Sequence, residues 1–236
     1  MSAGLILVVP AKGDDERDRV AEAWRAEGGE VLALDRFWEP PPLERSRVRL
    51  YGADAFCLVL AQKLNLTLLS PPDDLLLHLD REALGRSVQG GIFANARTLS
   101  YPTFIKPQVP KLFRAGVYDS PEALSRECTG LEPDAALLIS EVVRFVAEVR
   151  AFVLDGEVRT CALYEGTASL PDAEVFVRSV VKRMSTALAL PETYVLDVGL
   201  IEGHGWAVIE ANATWGAGLN GCNPGEVARC IARATR

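Results

Sequence analysis

An α/β layer followed by a larger α+β part built from antiparallel hairpins is the fold class that this sequence predicts. Three stretches predict it. Residues 4–9 (GLILVV) are almost wholly apolar, as in a strand covered on both faces, and a helical pattern follows over residues 14–27. Asp155-Gly156 stands between two apolar runs, the signal of a type I′ hairpin. Residues 194–212 alternate apolar with other residues around Gly203-His204, where glycine first suits a two-residue type II′ turn.

The elements follow in order. Asp14 or Asp15 caps the first helix, whose Val20, Ala23 and Trp24 share a face, and Gly28-Gly29 ends it. Residues 31–34 read as a second strand and 55–60 (AFCLVL) as a third, giving an N-terminal α/β layer over residues 1–72. Residues 73–90 read as helical. The rest, 73–236, forms the second domain, two subdomains of antiparallel sheet and helices. Its strands are expected over 92–97, 103–107, 135–140, 148–154, 158–164, 194–200 and 206–212. Ser120-Pro121 reads as an N-cap with proline at the first helical position, residues 172–188 as a helix, and Asn223-Pro224-Gly225-Glu226 as a capping box opening the last helix.

Composition narrows the function classes. Hydrophobic residues at 49% and charged residues at 24% fit a globular domain with a real core. A net charge of −7 argues against a binder of the nucleic-acid backbone, though a mononucleotide needs only a few local cations. No apolar run is long enough to span a membrane, and no basic stretch precedes the first apolar run, so a cytoplasmic protein without a membrane partner is expected. Five cysteines without a CxxC pair suit reduced thiols, and two histidines are too few for a histidine-based metal site. Neither GxGxxG nor GxxxxGK[ST] occurs, which disfavours a Rossmann dinucleotide site and a P-loop.

The chemistry concentrates in a few strands. In the register set by a Gly203-His204 turn, Asp197 and Glu210 become cross-strand neighbours, and Asn212 lies on Glu210's face. Like charges so placed repel unless they are solvated or share a cation, and Mg²⁺ prefers such oxygen ligands. On the strand leading into Asp155-Gly156, Glu148 and Arg150 share a face, as a surface ion pair or as a clamp for anionic oxygens. Lys106 ends an apolar strand and is followed by Pro107, either as a charged strand edge or as a ligand-binding cation.

Taken in order, Tyr101-Pro102-Thr103-Phe104-Ile105-Lys106-Pro107, Ser140-Glu141-Val142-Val143, Glu148-Val149-Arg150, Asp197 and Glu210-Ala211-Asn212 resemble the ATP-grasp superfamily of ligases. The steps from Glu141 to Glu148 and from Asp197 to Glu210 look like those of D-alanine–D-alanine ligase and its relatives. The ending EANATWGAGLNGCNP is similar to a compact clade named for two arginines and a lysine. The resemblance implies an ATP-grasp domain over residues 73–236, preceded by a small α/β domain.

It also implies roles. Lys106 would bind the α- and β-phosphates, and Lys111 would replace part of the grip of a glycine-rich lid, which the segment after Lys106 lacks. Glu141, with the backbone of Val142 and Val143, would form the adenine hinge, and Glu148 would hold the ribose hydroxyls. Asp197, Glu210 and Asn212 would hold Mg²⁺, and Arg150 would face the transferring phosphoryl group or a substrate carboxylate. Val195 stands two residues before Asp197, where some ligases of the superfamily carry arginine. Arg81 or Arg86 would serve as the upstream phosphate cation, and Cys222 in the Gly-rich loop reads as incidental. The activity implied is ATP-dependent ligation of a small-molecule or peptide carboxylate to an amine. A nucleotide-binding module without turnover and a metal-dependent hydrolase are the alternatives.

Overall fold

The structure is a computed structural model and describes residues 2–236. In chain order it begins with β1 (Ile6–Pro10), α1 (Asp15–Ala26), β2 (Glu30–Leu34), β3 (Val48–Leu50) and α2 (Asp54–Leu64). There follow α3 (Arg81–Leu84), β4 (Val88–Ile92), β5 (Thr103–Pro107), β6 (Gly116–Tyr118), α4 (Pro121–Glu127) and β7 (Ala136–Ser140). The last part holds β8 (Phe145–Leu154), β9 (Glu157–Gly166), α5 (Leu170–Ala187), β10 (Thr193–Ile201), β11 (Gly205–Asn212) and α6 (Pro224–Ile231). Two compact units result among the described residues: 2–71 with 147–199 and 209–236, and 72–146 with 200–208. This is the expected combination of an α/β layer and antiparallel α+β elements. No helix among the described residues is long and apolar enough to cross a membrane.

In the first unit, β1 lies between β2 and β3 in a parallel sheet. Its side chains alternate between two cores, as the period of a strand requires. Leu7 and Val9 pack with Val20, Trp24, Phe152, Val195 and Leu219. Ile6 and Val8 pack with Leu50, Phe56, Leu60 and Trp215. Asp14 is the cap of α1, accepting the Arg17 N–H at 2.9 Å, and the left-handed Gly28 follows the helix. A Cβ on Gly29 would fall 2.2 Å from Trp24 Nε1, so only glycine lets the chain turn this close to the indole.

Two expectations fail. Residues 55–60, expected as a third strand, belong to helix α2, and the third strand is Val48–Leu50 just before it. Phe56, Cys57, Leu60 and Ala61 are buried at helical spacing, while Leu58 is 55% exposed. A short apolar run fits both periods, and only its continuation to the left-handed Asn65 reveals the helix. Residues 92–97, expected as a strand, are mostly a 3₁₀ turn over Phe93–Thr98, and the strand is Val88–Ile92, inside the segment expected to be helical. Gly85, in the left-handed region at φ +62°, stops the four-residue α3 and releases the chain into β4.

The second unit holds the antiparallel sheet β4-β7-β5-β6. Ile105, Leu137 and Ile139 pack with Tyr118, Leu124 and Cys128 beneath α4. Ser120 caps α4 with Pro121 at its start, as expected. The third sheet has the order β11-β10-β8-β9. Asp155 and Gly156 both have positive φ, 52° and 76°, so the type I′ turn forms as read. The β10–β11 turn sits one residue earlier than expected. His204 N–H donates to the Ile201 carbonyl at 3.0 Å, so Glu202 and Gly203 occupy its centre. The capping box at α6 is half formed: Asn223 Oδ1 accepts from Gly225 and Glu226 N–H, but Asn223 N–H donates to Thr160 and Glu226 pairs with Arg159.

Candidate active site

Position β10 between β8 and β11 and their polar residues can meet across the strands. In the first unit they do. Arg150 on β8 grips Asp197 on β10 with two parallel bonds, Nε–H to Oδ1 at 2.8 Å and Nη2–H to Oδ2 at 2.7 Å. Its remaining arm donates from Nη1 to the Gly218 carbonyl at 3.1 Å. From β11, one amide nitrogen of Asn212 donates to Asp197 Oδ2 at 3.1 Å and to Glu210 Oε1 at 3.0 Å. Two carboxylates, an amide and a guanidinium thus form one connected cluster.

The electrostatics are those of a dry site. The Asp197 side chain is only 3% exposed. Burial pushes its carboxyl above the usual range, the hydrogen-bonded Arg150 pulls it back, and the neighbouring Glu210 charge pushes it up again. Burial disfavours the Arg150 charge, but the bonds to Asp197 outweigh it and hold the guanidinium above its ordinary value. Among the described residues no group of three or more His, Cys, Asp or Glu side chains is assembled for a metal. The donors present are nevertheless all oxygen-bearing and hard. A cation here would draw on Asp197, Glu210 and Asn212 and complete its shell with water or phosphate oxygens, the habit of Mg²⁺. The donor set fits that ion.

Glu148 and Arg150 share a strand face as expected, and a residue absent from that reading joins them. Tyr164 on β9 donates its hydroxyl to Glu148, and its ring lies 5.7 Å from the Arg150 guanidinium carbon. Burial and then the Glu148 bond push the phenol far above its ordinary value, so it stays a donor. Regular pairing from the turn would set Glu148 opposite Leu163, but two register shifts bring Glu165 opposite it. The aromatic two places before Gly166 was the available signal.

The remaining expected residues belong to the second unit. Lys106 is half-buried on β5, opposite Leu138. Lys111 is exposed at a turn with φ +67°. Glu141 follows β7, where Ser87 N–H donates to its carboxylate at 2.8 Å and its own N–H donates to the Ser87 carbonyl at 3.0 Å. Arg81 stands 3.9 Å from that carboxylate. Val142 is 46% exposed and Val143 half-buried, in a stretch that has left the sheet. Arg86, expected as an alternative phosphate cation, lies inside the unit. It is buried, donates to the Ser140 hydroxyl and the Leu84 and Val208 carbonyls, and lies over Phe145, so it braces the unit from inside. Cys222 is buried with its thiol pushed up to about 12 by burial, which suits packing and not nucleophilic attack.

Residues 84–230 match the family model for the ATP-grasp domain of the clade named for two arginines and a lysine, family 2. The chain belongs to that family. No curated protein matches the sequence. Among solved structures it is similar to a RimK domain protein ATP-grasp from Sphaerobacter thermophilus, with 19% identity, TM-score 0.58, and coverage of 96% of this chain and 98% of that one. It is also similar to D-alanine–D-alanine ligase from Bacillus anthracis, solved with ATP: 14% identity, TM-score 0.55, coverage 98% and 96%. The ATP-grasp ligase PsnB, solved with a precursor peptide and AMPPNP, has 16% identity, TM-score 0.53 and coverage 97% and 96%. Such identities speak for a shared fold. ATP-grasp proteins are in general ATP-dependent ligases that join a carboxylate to an amine, with Mg²⁺.

Proposed function

We propose that this protein is an ATP- and Mg²⁺-dependent carboxylate–amine ligase acting on an amino acid, a peptide or a protein terminus. The observation that carries the reading is the cluster of Arg150, Asp197, Glu210 and Asn212 in a chain of the ATP-grasp family. Asp197, Glu210 and Asn212 would hold Mg²⁺, which would neutralise charge on the outer phosphates. Glu148 takes the ribose hydroxyls, its carboxylate oriented by Tyr164. In the second unit Glu141, Val142 and Val143 receive the adenine, Lys106 the α- and β-phosphates, and Lys111 covers the triphosphate.

The reaction asks little covalent work of the chain. A substrate carboxylate oxygen bonds to the γ-phosphorus and ADP leaves with the cleaved bond's electrons. An amine then attacks the acyl carbon of that acyl phosphate, phosphate departs, and the amine nitrogen gives up a proton. Arg150 supplies positive charge for the transferring group. Its Nε and Nη2 bond Asp197 and its Nη1 bonds the Gly218 carbonyl, which leaves two of the five guanidinium N–H groups for a phosphate oxygen. Positioning and charge neutralisation are the protein's contribution.

The direct test is release of ADP and phosphate from Mg-ATP over pools of amino acids and peptides. The ligase reading expects both products together with a new amide, and AMP with pyrophosphate would refute it. The bidentate tie between Arg150 and Asp197 also supports a second reading, a nucleotide-binding module without turnover. That one expects ATP binding by calorimetry and no products with any pool. The metal-dependent hydrolase reading expects metal-stimulated hydrolysis without ATP, and it leaves Lys106 and Glu141 without a role.

A further inference from the structure

Glu148 and Arg150 share one face of β8, roughly 7 Å apart at the backbone by the rise of a strand and within reach of each other's side chains. They do not pair. Arg150 turns to Asp197 and the Gly218 carbonyl. Among the described residues the Glu148 carboxylate has no cationic partner, and its one hydrogen bond is the Tyr164 hydroxyl on Oε2, so Oε1 is left open. Tyr164 touches both groups: its hydroxyl meets the carboxylate, and its ring lies 5.7 Å from the Arg150 guanidinium carbon. The backbone explains the placement. Val149 is opposite Leu163 and Glu148 opposite Glu165, so one register shift of the β8–β9 pair falls at Tyr164 and leaves it without a cross-strand partner. Such an extra residue re-aims its side chain, here onto the face that carries Glu148 and Arg150. A phenol is the fitting side chain, because its tip donates to an anion and its flat body attracts a cation.

We propose that Tyr164 is the positioning residue that divides the nucleotide site between these two charges. Its hydroxyl aims the open oxygen of Glu148 at the sugar, and its ring keeps Arg150 on the phosphate side, apart from Glu148. The inference rests on the ligase reading for the nucleotide itself, and on the two contacts of Tyr164 for the division. A glutamate side chain rotates freely, and beside a guanidinium with unused N–H groups its carboxylate gains by closing onto them. That ion pair would take the acceptor from the ribose and positive charge from the phosphates at once. The bond from Tyr164 holds the carboxylate back from that collapse, and the aromatic face attracts the guanidinium without using its N–H groups. The phenol keeps its proton for this task, since burial and the Glu148 bond push it far above its ordinary value.

The test is calorimetry on the full chain with ADP, 2′,3′-dideoxy-ADP and AMPPNP, each with Mg²⁺. The ratio of ADP to dideoxy-ADP affinity reads the sugar contact, and the ratio of AMPPNP to ADP affinity reads the γ-phosphate contact. The parent should prefer ADP over dideoxy-ADP by about tenfold, as loss of charge-assisted hydrogen bonds implies. Tyr164→Phe, which keeps the ring, should lower that preference to about threefold or less and leave the AMPPNP-to-ADP ratio unchanged. Tyr164→Leu should lower the sugar preference equally and also cut the AMPPNP-to-ADP ratio by about threefold, the scale of an aromatic–guanidinium contact. In Glu148→Gln the sugar preference should be gone, and adding Tyr164→Phe should change it no further, since the hydroxyl acts through that carboxylate. A residue that merely packs would shift all three affinities together and leave both ratios alone. No sugar preference in the parent, parent-like ratios in Tyr164→Phe, or the same two ratios in Tyr164→Phe and Tyr164→Leu overturns the inference, while the nucleotide reading stands on the binding of ADP and AMPPNP. Failure of both to bind the parent overturns the nucleotide reading and this inference with it. Tyr164→Met takes the place of Tyr164→Leu where the latter does not fold.

Discussion

Asp197 is a buried carboxylate whose charge is held by two short bonds from Arg150, with a third from Asn212. Taking away one partner of such a pair strands the other's charge in a dry site, at a cost of about 3–5 kcal/mol. Arg150→Ala is therefore expected to lower unfolding stability by that order in urea titration. Arg150→Lys should restore only part of it, because an ammonium cannot span both oxygens in parallel. Stability equal to that of the parent in both variants would show that the pair contributes nothing. At this scale the sequence disclosed the acids and the arginine through their spacing on strands. It did not disclose that the arginine and the aspartate hold each other, because Arg150 and Asp197 lie on strands far apart in sequence.

At the scale of elements, the turns decided what could be read. Asp155-Gly156 fixed its hairpin because both positions require positive φ. Residues 103–107 were read with the bounds that the strand has, since proline closes it. The bulges in β8–β9 were not legible, because a bulge leaves the alternation of the bulged strand almost intact while shifting its partner. The β4 segment was misread because Gly90 and Gly91 carry no side-chain pattern. A Cβ at Gly91 would fall 2.7 Å from Ile139 Cδ1. Gly85 gives the sharper test of this scale. With φ +62° and a hypothetical Cβ 2.9 Å from both Ala207 Cβ and Ile201 Cδ1, Gly85→Ala should cost about 1–3 kcal/mol in stability. A melting temperature unchanged in this variant would mean that the chain adjusts there freely.

For the whole molecule, what is shared at low identity with solved ATP-grasp structures is the fold. Trp24 illustrates the part that is packing alone. It is fully buried between β1 and the C-terminal residues of the first unit, and Gly29 is shaped around it. Trp24→Ala should destabilise by about 3–5 kcal/mol, measured by chemical unfolding. A much smaller loss would show that the core collapses into the space. The sequence could place Trp24 on the inner face of α1. It could not show that residues 217–232 form the wall opposite, because that pairing is made by tertiary contact alone.

The central claim is that Asp197, Glu210 and Asn212 gather a divalent cation on a nucleotide. AMPPNP affinity measured by calorimetry with Mg²⁺ and with chelator, in the parent and in Glu210→Gln, tests it most directly. Mg²⁺ should tighten binding to the parent by about tenfold or more, and the variant should lose most of that gain while melting like the parent. An equal Mg²⁺ effect in both proteins, or none in the parent, would contradict the claim.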